Sequence, residues 1–205
     1  MENYKKDILY WAKRLYQKNM SPATSGNISA RTPKGILISC TNVCLNDMGD
    51  EDLILIDYDG NILEGHKKPS SEKHLHTQIY ELRDDVNAII HSHCPLTTAF
   101  AVANVPMDTP IMPEFVFHFD KIPVAPYELP STIKLAEKTV RYFKSHDTVL
   151  MANHGVVTGA ATLKECFYNL EALRAYAETY FASHVLGKPK ILTKAQINDI
   201  RKLKG

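Results

Sequence analysis

The segment VNAIIHSH, residues 86–93, is a β-branched apolar run that ends in two histidines. Its composition reads as a buried strand. Residues i and i+2 of a strand point to the same face, so His91 and His93 present two imidazoles side by side. That spacing suits two ligands of one divalent metal, although the pair alone fits a wetted sheet face equally well. A third candidate ligand is His154 in LMANHGV (150–156), placed after another apolar run. Gly155 there would let the backbone turn tightly and open the ring to a cleft. The other six histidines (His66, His74, His76, His118, His146, His184) fall in polar contexts and read as solvated.

Around this strand the chain alternates short apolar runs with amphipathic helices. An N-terminal helix spans about 4–19, with Ile8, Trp11, Ala12, Leu15 and Tyr16 on its core-facing side. GILISC (35–40) and DLILID (52–57) read as strands, and 57–61 as a hairpin turn. Pro69-Ser70-Ser71 opens a helix that runs to about Arg83, with a serine as N-cap. Further strands are expected near 122–125, 148–153 and 156–158, and helices over 131–145, 162–186 and 193–203. The sum is an α/β fold in one domain over 1–205: a central, mostly antiparallel mixed sheet flanked by helices on both faces.

The composition narrows the function. Lys and Arg total 24 against 23 for Asp and Glu, a net charge of +1 that argues against a nucleic-acid or polybasic membrane partner. Hydrophobic residues (44%) and charged residues (23%) are at soluble-globular levels. No apolar run approaches the roughly 18 residues of a membrane span, and the charged N-terminus lacks a signal-peptide core. Four cysteines (Cys40, Cys44, Cys94, Cys166) do not read as a disulfide framework. The expected location is the cytoplasm.

Two loops carry weaker signals. In TSGN (24–27), small hydroxyls around Gly26 expose backbone N–H groups, as phosphate loops do. In KPSSEKHLH (68–76), Ser70 and Ser71 lie at a helix N-terminus, where free amides favour an anion, and Glu72 follows them. Each also reads as an ordinary loop or cap.

Taken in order, SGN, SSE, His-x-His and a late His-Gly resemble the class II aldolase/adducin family across nearly the whole chain. The resemblance implies the fold above and a homotetramer with active sites between neighbouring subunits. It implies Zn2+, or another divalent metal, held by His91, His93 and His154. Glu72 would be the catalytic carboxylate and a further ligand of the empty site. Gly26, Asn27, Ser70 and Ser71 would hold the phosphate of a sugar phosphate. Thr41 and Asn42, in ISCTNVC (38–44), stand where the aldolases have Thr-Gly; asparagine also tolerates left-handed geometry, so the turn is expected to survive. The aldolases place a neighbouring subunit's tyrosine near the reacting centre, whereas TPIMPEFVF (109–117) has none.

The activity so implied is reversible cleavage of a ketose 1-phosphate, L-fuculose 1-phosphate or a 5-deoxypentulose 1-phosphate, to dihydroxyacetone phosphate and an aldehyde. Three alternatives share the fold. A pentulose-phosphate 4-epimerase of the family would carry Asp where this chain has Glu72. A methylthioribulose-1-phosphate dehydratase would use a carboxylate near Glu114. An adducin-like scaffold would have lost the metal.

Overall fold

The computed structural model describes residues 1–203. The elements run α1 (Glu2–Gln17), β1 (Asn27–Thr32), β2 (Gly35–Ser39), β3 (Leu53–Ile56), β4 (Ile62–Glu64), α2 (Lys73–Leu82), β5 (Ala88–Ser92) and α3 (Pro95–Ala103). They continue with α4 (Pro113–His118), β6 (Val124–Ala125), α5 (Ile133–Val140), β7 (Thr148–Met151), β8 (Gly155–Ala160), α6 (Leu163–Leu186) and α7 (Lys194–Lys202). The eight strands form one sheet in the order β4-β3-β2-β1-β5-β8-β7-β6. Every neighbouring pair is antiparallel except β6–β7. This is the mixed, mostly antiparallel sheet expected from the sequence.

The period of two along each strand divides the core into two layers. Leu37, Leu53, Leu55, Ala88, Ile90 and Leu150 join the apolar faces of α1, α3 and α6. Their chain neighbours Ile36, Ile38, Ile54, Ile56, Ile89 and Val149 pack on α2 and α5 instead. Most of these strand residues are buried on both faces of the sheet, which explains why the strands read as continuous apolar runs. Each fully buried Leu, Ile or Phe is worth about 1.5–3 kcal/mol against exposure.

Several local expectations need correction. Tyr16 is exposed, because the stripe of Ile8, Trp11, Ala12 and Leu15 already fills the buried face of α1. The helix after Pro69 does not begin at a serine. The amide of Ser70 donates to the Ser39 carbonyl and Pro69 bridges Cys40, which holds 69–70 extended beside the end of β2. The N-cap position therefore falls on Glu72. The 131–145 helix splits into α5, capped by Thr132, and a 3-10 turn over Arg141–Lys144. The strand expected at 156–158 is longer, Gly155–Ala160, and the one at 122–125 is only Val124–Ala125. His76 is fully buried rather than solvated. Strands β1 and β4 and helices α3 and α4 were not anticipated. Among the described residues no helix is long and apolar enough to cross a membrane.

Candidate metal centre

His91 lies near the end of β5, paired with Asn27 on β1 and Val157 on β8, so the ring leaves the middle of the sheet. Its face is that of Ile89, the face covered by α2. Two residues on, His93 has left the strand just before Cys94, the N-cap of α3. His154 belongs to the turn between β7 and β8. The three rings meet edge to face, with centroids 4.6, 4.7 and 5.0 Å apart. One ligand nitrogen from each lies within 4.8 Å of the others.

The turn that delivers His154 works differently from the sequence expectation. The left-handed residue is Asn153 (φ 56°), not Gly155. Gly155 provides space: a Cβ there would stand 2.6 Å from the Ser92 carbonyl oxygen, 3.2 Å from His91 Cε1 and 3.3 Å from His93 Cδ2. Gly155→Ala should therefore displace the rings it abuts. Metal content measured on purified protein should fall well below that of the parent, and full occupancy would show that the backbone yields instead. Gly26 is needed for both reasons, with φ at 79° and an added Cβ only 2.7 Å from the His91 carbonyl.

Hydrogen bonding fixes the proton positions. Nδ1 of His91 faces the Val156 carbonyl at 3.0 Å and can only donate to it, which leaves Nε2 as a bare acceptor. This is the usual outer support of a metal-bound imidazole. Burial, then His93 and His154, drive the His91 pKa well below the ordinary value. Burial, then His154, lower that of His93 to about 4. Both rings are neutral near pH 7, the form that ligates.

Glu72 at the start of α2 points its carboxylate into this cluster. Its Oε2 lies 3.2 Å from His91 Nε2 and its Oε1 3.3 Å from His154 Nε2. Oε1 is buried without a hydrogen-bond donor, and the bare His91 Nε2 faces the Oε2 acceptor across that 3.2 Å contact. Acceptors turned on one another in a buried site are costly, and a divalent cation among them removes the cost. The donor set of three imidazoles and one carboxylate oxygen is that of a transition-metal site.

A cavity of about 180 Å³ opens over the cluster. Glu72, His93 and His154 line it together with Gly26, Asn27, Thr41, Asn42, Ser70 and Ser71, so residues from five separate segments converge. Asn42 adopts the left-handed geometry expected of it, at φ 58°. The Asn27 amide donates to Glu72 Oε2 at 3.0 Å, and Ser70 Oγ accepts from the Glu72 amide at 3.3 Å. Pro130 and Ser131 also line the cavity and had not been singled out. Ser131 donates to Ser71 Oγ at 2.8 Å. The only sequence signal was the turn-forming Pro-Ser-Thr before α5. Glu114 is exposed in the first turn of α4 and is not part of the cavity wall.

The chain resembles known proteins in sequence and in fold. The chain is 29% identical over 205 residues to 5-deoxy-D-ribulose 1-phosphate aldolase of Bacillus thuringiensis, covering 98% of this chain and 95% of that one. It is 32% identical over 174 residues to L-fuculose phosphate aldolase of Methanocaldococcus jannaschii, covering 85% and 93% respectively. A solved L-fuculose 1-phosphate aldolase superposes with a TM-score of 0.91 at 26% identity, over 100% of this chain and 98% of that one. Residues 6–181 match the class II aldolase and adducin N-terminal domain, and with three histidines and a carboxylate gathered under one cavity, the chain belongs to the class II aldolase and adducin family.

Proposed function

We propose that this chain is a zinc-dependent class II aldolase that reversibly cleaves a ketose 1-phosphate to dihydroxyacetone phosphate and an aldehyde. The observation that carries the reading is the Glu72 carboxylate, directed into His91, His93 and His154 at the base of a cavity walled by small polar residues. An adducin-like scaffold has no use for this donor set. The relatives' named substrates, 5-deoxy-D-ribulose 1-phosphate and L-fuculose phosphate, supply the substrate class.

His91, His93 and His154 would hold the ion, with Glu72 as a further ligand when substrate is absent. When bound, a divalent ion acts as a Lewis acid that stabilises negative charge on the substrate oxygens next to the bond that breaks. Cleavage leaves the bonding electron pair on the dihydroxyacetone phosphate half, while the hydroxyl of the aldehyde half loses its proton. Glu72 takes up that proton and delivers it to the electron-rich carbon, and in the direction of synthesis it moves the proton from the carbon back to the aldehyde oxygen. Gly26, Asn27, Thr41, Asn42, Ser70 and Ser71 bind the phosphate and orient that carbon, so binding energy remote from the reacting bond lowers the barrier.

The test is an assay for dihydroxyacetone phosphate release over a panel of ketose 1-phosphates, 5-deoxypentuloses included. No release from any of them would overturn the assignment. Ser71→Ala should raise KM for the phosphorylated sugar about tenfold, the order of a lost hydrogen bond to a charged group, with kcat nearly unchanged. Equal turnover of free and phosphorylated sugars by the parent protein would refute the anion site.

The assembly that goes with this reading is a homotetramer with active sites between neighbouring subunits. Exposed apolar side chains on α3 and α6 (Val102, Phe181, Val185 and Leu186) support burial against another copy. Cytoplasmic residence is supported by the free thiols of Cys40, Cys44, Cys94 and Cys166.

A further inference from the structure

Four residues along α2 and two along β1 advance by nearly the same distance, about 6.0 Å for the helix and about 6.6 Å for the strand. Glu72, His76 and Tyr80 therefore face Asn27, Ser29 and Arg31 in step, like opposed rungs. At the first rung the Asn27 amide donates to Glu72 Oε2 at 3.0 Å. His76 Nε2 contacts Asn27 Oδ1, and His76 Nδ1 lies 2.7 Å from Ser29 Oγ. Tyr80 Oη lies 2.8 Å from the same Ser29 Oγ. At the last rung Arg31 Nη2 donates to the Tyr80 carbonyl at 2.6 Å and the Arg83 carbonyl at 2.9 Å, which closes the C-terminal end of α2 onto β1. Tyr80, His76 and Ser29 are completely buried, and Asn27 nearly so.

Donor and acceptor chemistry gives this chain one direction. A carboxylate can only accept, so Asn27 turns its NH2 to Glu72 and its carbonyl to His76. His76 must then donate from Nε2, which in a neutral ring obliges Nδ1 to accept. Ser29 donates to Nδ1 and in turn accepts from the Tyr80 hydroxyl. Every proton from Tyr80 to Glu72 is thereby aimed at the carboxylate, in a buried setting where such chains reinforce one another. Burial alone lowers the His76 pKa to about 3, which keeps the ring neutral, and the Asn27 carbonyl at Nε2 selects the tautomer.

We propose that His76 is a positioning residue for Glu72, acting through Asn27 to aim the carboxylate at the three-histidine cluster. The proposal rests on the aldolase reading, in which Glu72 moves the proton. Without the Nε2 donor, the Asn27 carboxamide is free to flip and present its oxygen to Glu72, turning an attraction into a repulsion.

Two measurements test it. In wild-type protein carrying 15N-histidine, long-range 1H–15N correlation should show His76 protonated at Nε2 and bare at Nδ1 around neutral pH; the opposite tautomer or a charged ring overturns the proposal. This readout needs no activity, so it stands even if the substrate panel fails and the aldolase reading falls. The second is a kinetic cycle with the ketose 1-phosphate that the wild type cleaves. His76→Met should lower kcat about 10–100-fold, the usual cost of losing an outer-shell partner. Substrate KM should stay nearly constant, and His76→Gln, which keeps a donor, should recover most of the rate. His76→Met combined with Asn27→Ala should be no slower than Asn27→Ala alone, because one residue acts through the other. Losses that multiply would assign His76 a merely structural role, and overturn the proposal. If His76→Met does not fold, the glutamine variant and the wild-type spectrum decide.

Discussion

Replacing Glu72 by glutamine should slow turnover about 10²- to 10⁴-fold, the usual contribution of a positioned acid–base group. Glutamine keeps the size and can still accept from the Asn27 amide, which donates to Glu72 Oε2 in the native protein. The fold should therefore persist, and the loss should fall on kcat rather than KM. Part of the effect could reach the metal, since the carboxylate lies 3.2 and 3.3 Å from the ring nitrogens of His91 and His154. Metal content measured beside the rate separates the two causes. Glu114→Gln is the contrast, because Glu114 is exposed on α4 and absent from the cavity wall. Its replacement should leave cleavage within a few-fold of the parent, a small effect beside that of an acid–base group. The reverse pattern, with Glu72→Gln active and Glu114→Gln inactive, would replace the aldolase by a dehydratase.

Chelation should abolish cleavage altogether, and zinc should restore it. His154→Ala should lose both metal and activity, because it removes one of the three nitrogens that lie within 4.8 Å of each other. The two imidazoles that remain can complete a three-ligand site only by holding Glu72 on the metal, which takes away the group needed for proton transfer. The competing chemistry for an aldolase is a lysine Schiff base. No lysine lines the cavity among the described residues. Borohydride added with substrate should thus trap no covalent lysine adduct. A trapped adduct, or full activity in excess chelator, would remove the metal from the mechanism.

The pairing of His91 with His93 could be read from the sequence because its geometry is local. A strand fixes the direction of residues two apart, so taking 86–93 as a strand put His91 and His93 on one face; β5 is only Ala88–Ser92 and His93 lies just beyond it, yet the two rings still meet. The helices read from their periods returned as α1, α2, α5, α6 and α7, with ends shifted by neighbours. The shift at α2 is instructive. Ser70 and Ser71 are good capping residues, yet the Ser70 amide is engaged by Ser39, more than thirty positions away, and the cap moves to Glu72. Strand β1, NISART, was not read because Asn27, Ser29 and Arg31, on the side that meets α2, break the continuous apolar run by which other strands were recognised.

Sequence alone therefore determined what depends on spacing: the paired histidines, the alternation of strand and helix, and the order of motifs that carries the family resemblance. Only the tertiary structure decided what depends on two segments meeting. It brought SGN, CTN, SSE and the His-Gly turn to one cavity, although the chain between them is long. It showed that Gly155 is required for room beside His91 and His93 rather than for its backbone angle. It also reversed the reading of His76, which looks solvated beside the lysine and histidine around it but is fully buried. A side chain's burial is set by whatever packs on its face. For His76 that is β1, whose Asn27 and Ser29 satisfy both ring nitrogens and so make burial of a polar ring affordable. No local pattern in 72–80 contains that information, since the partners lie nearly fifty residues earlier and meet α2 only when the sheet has formed.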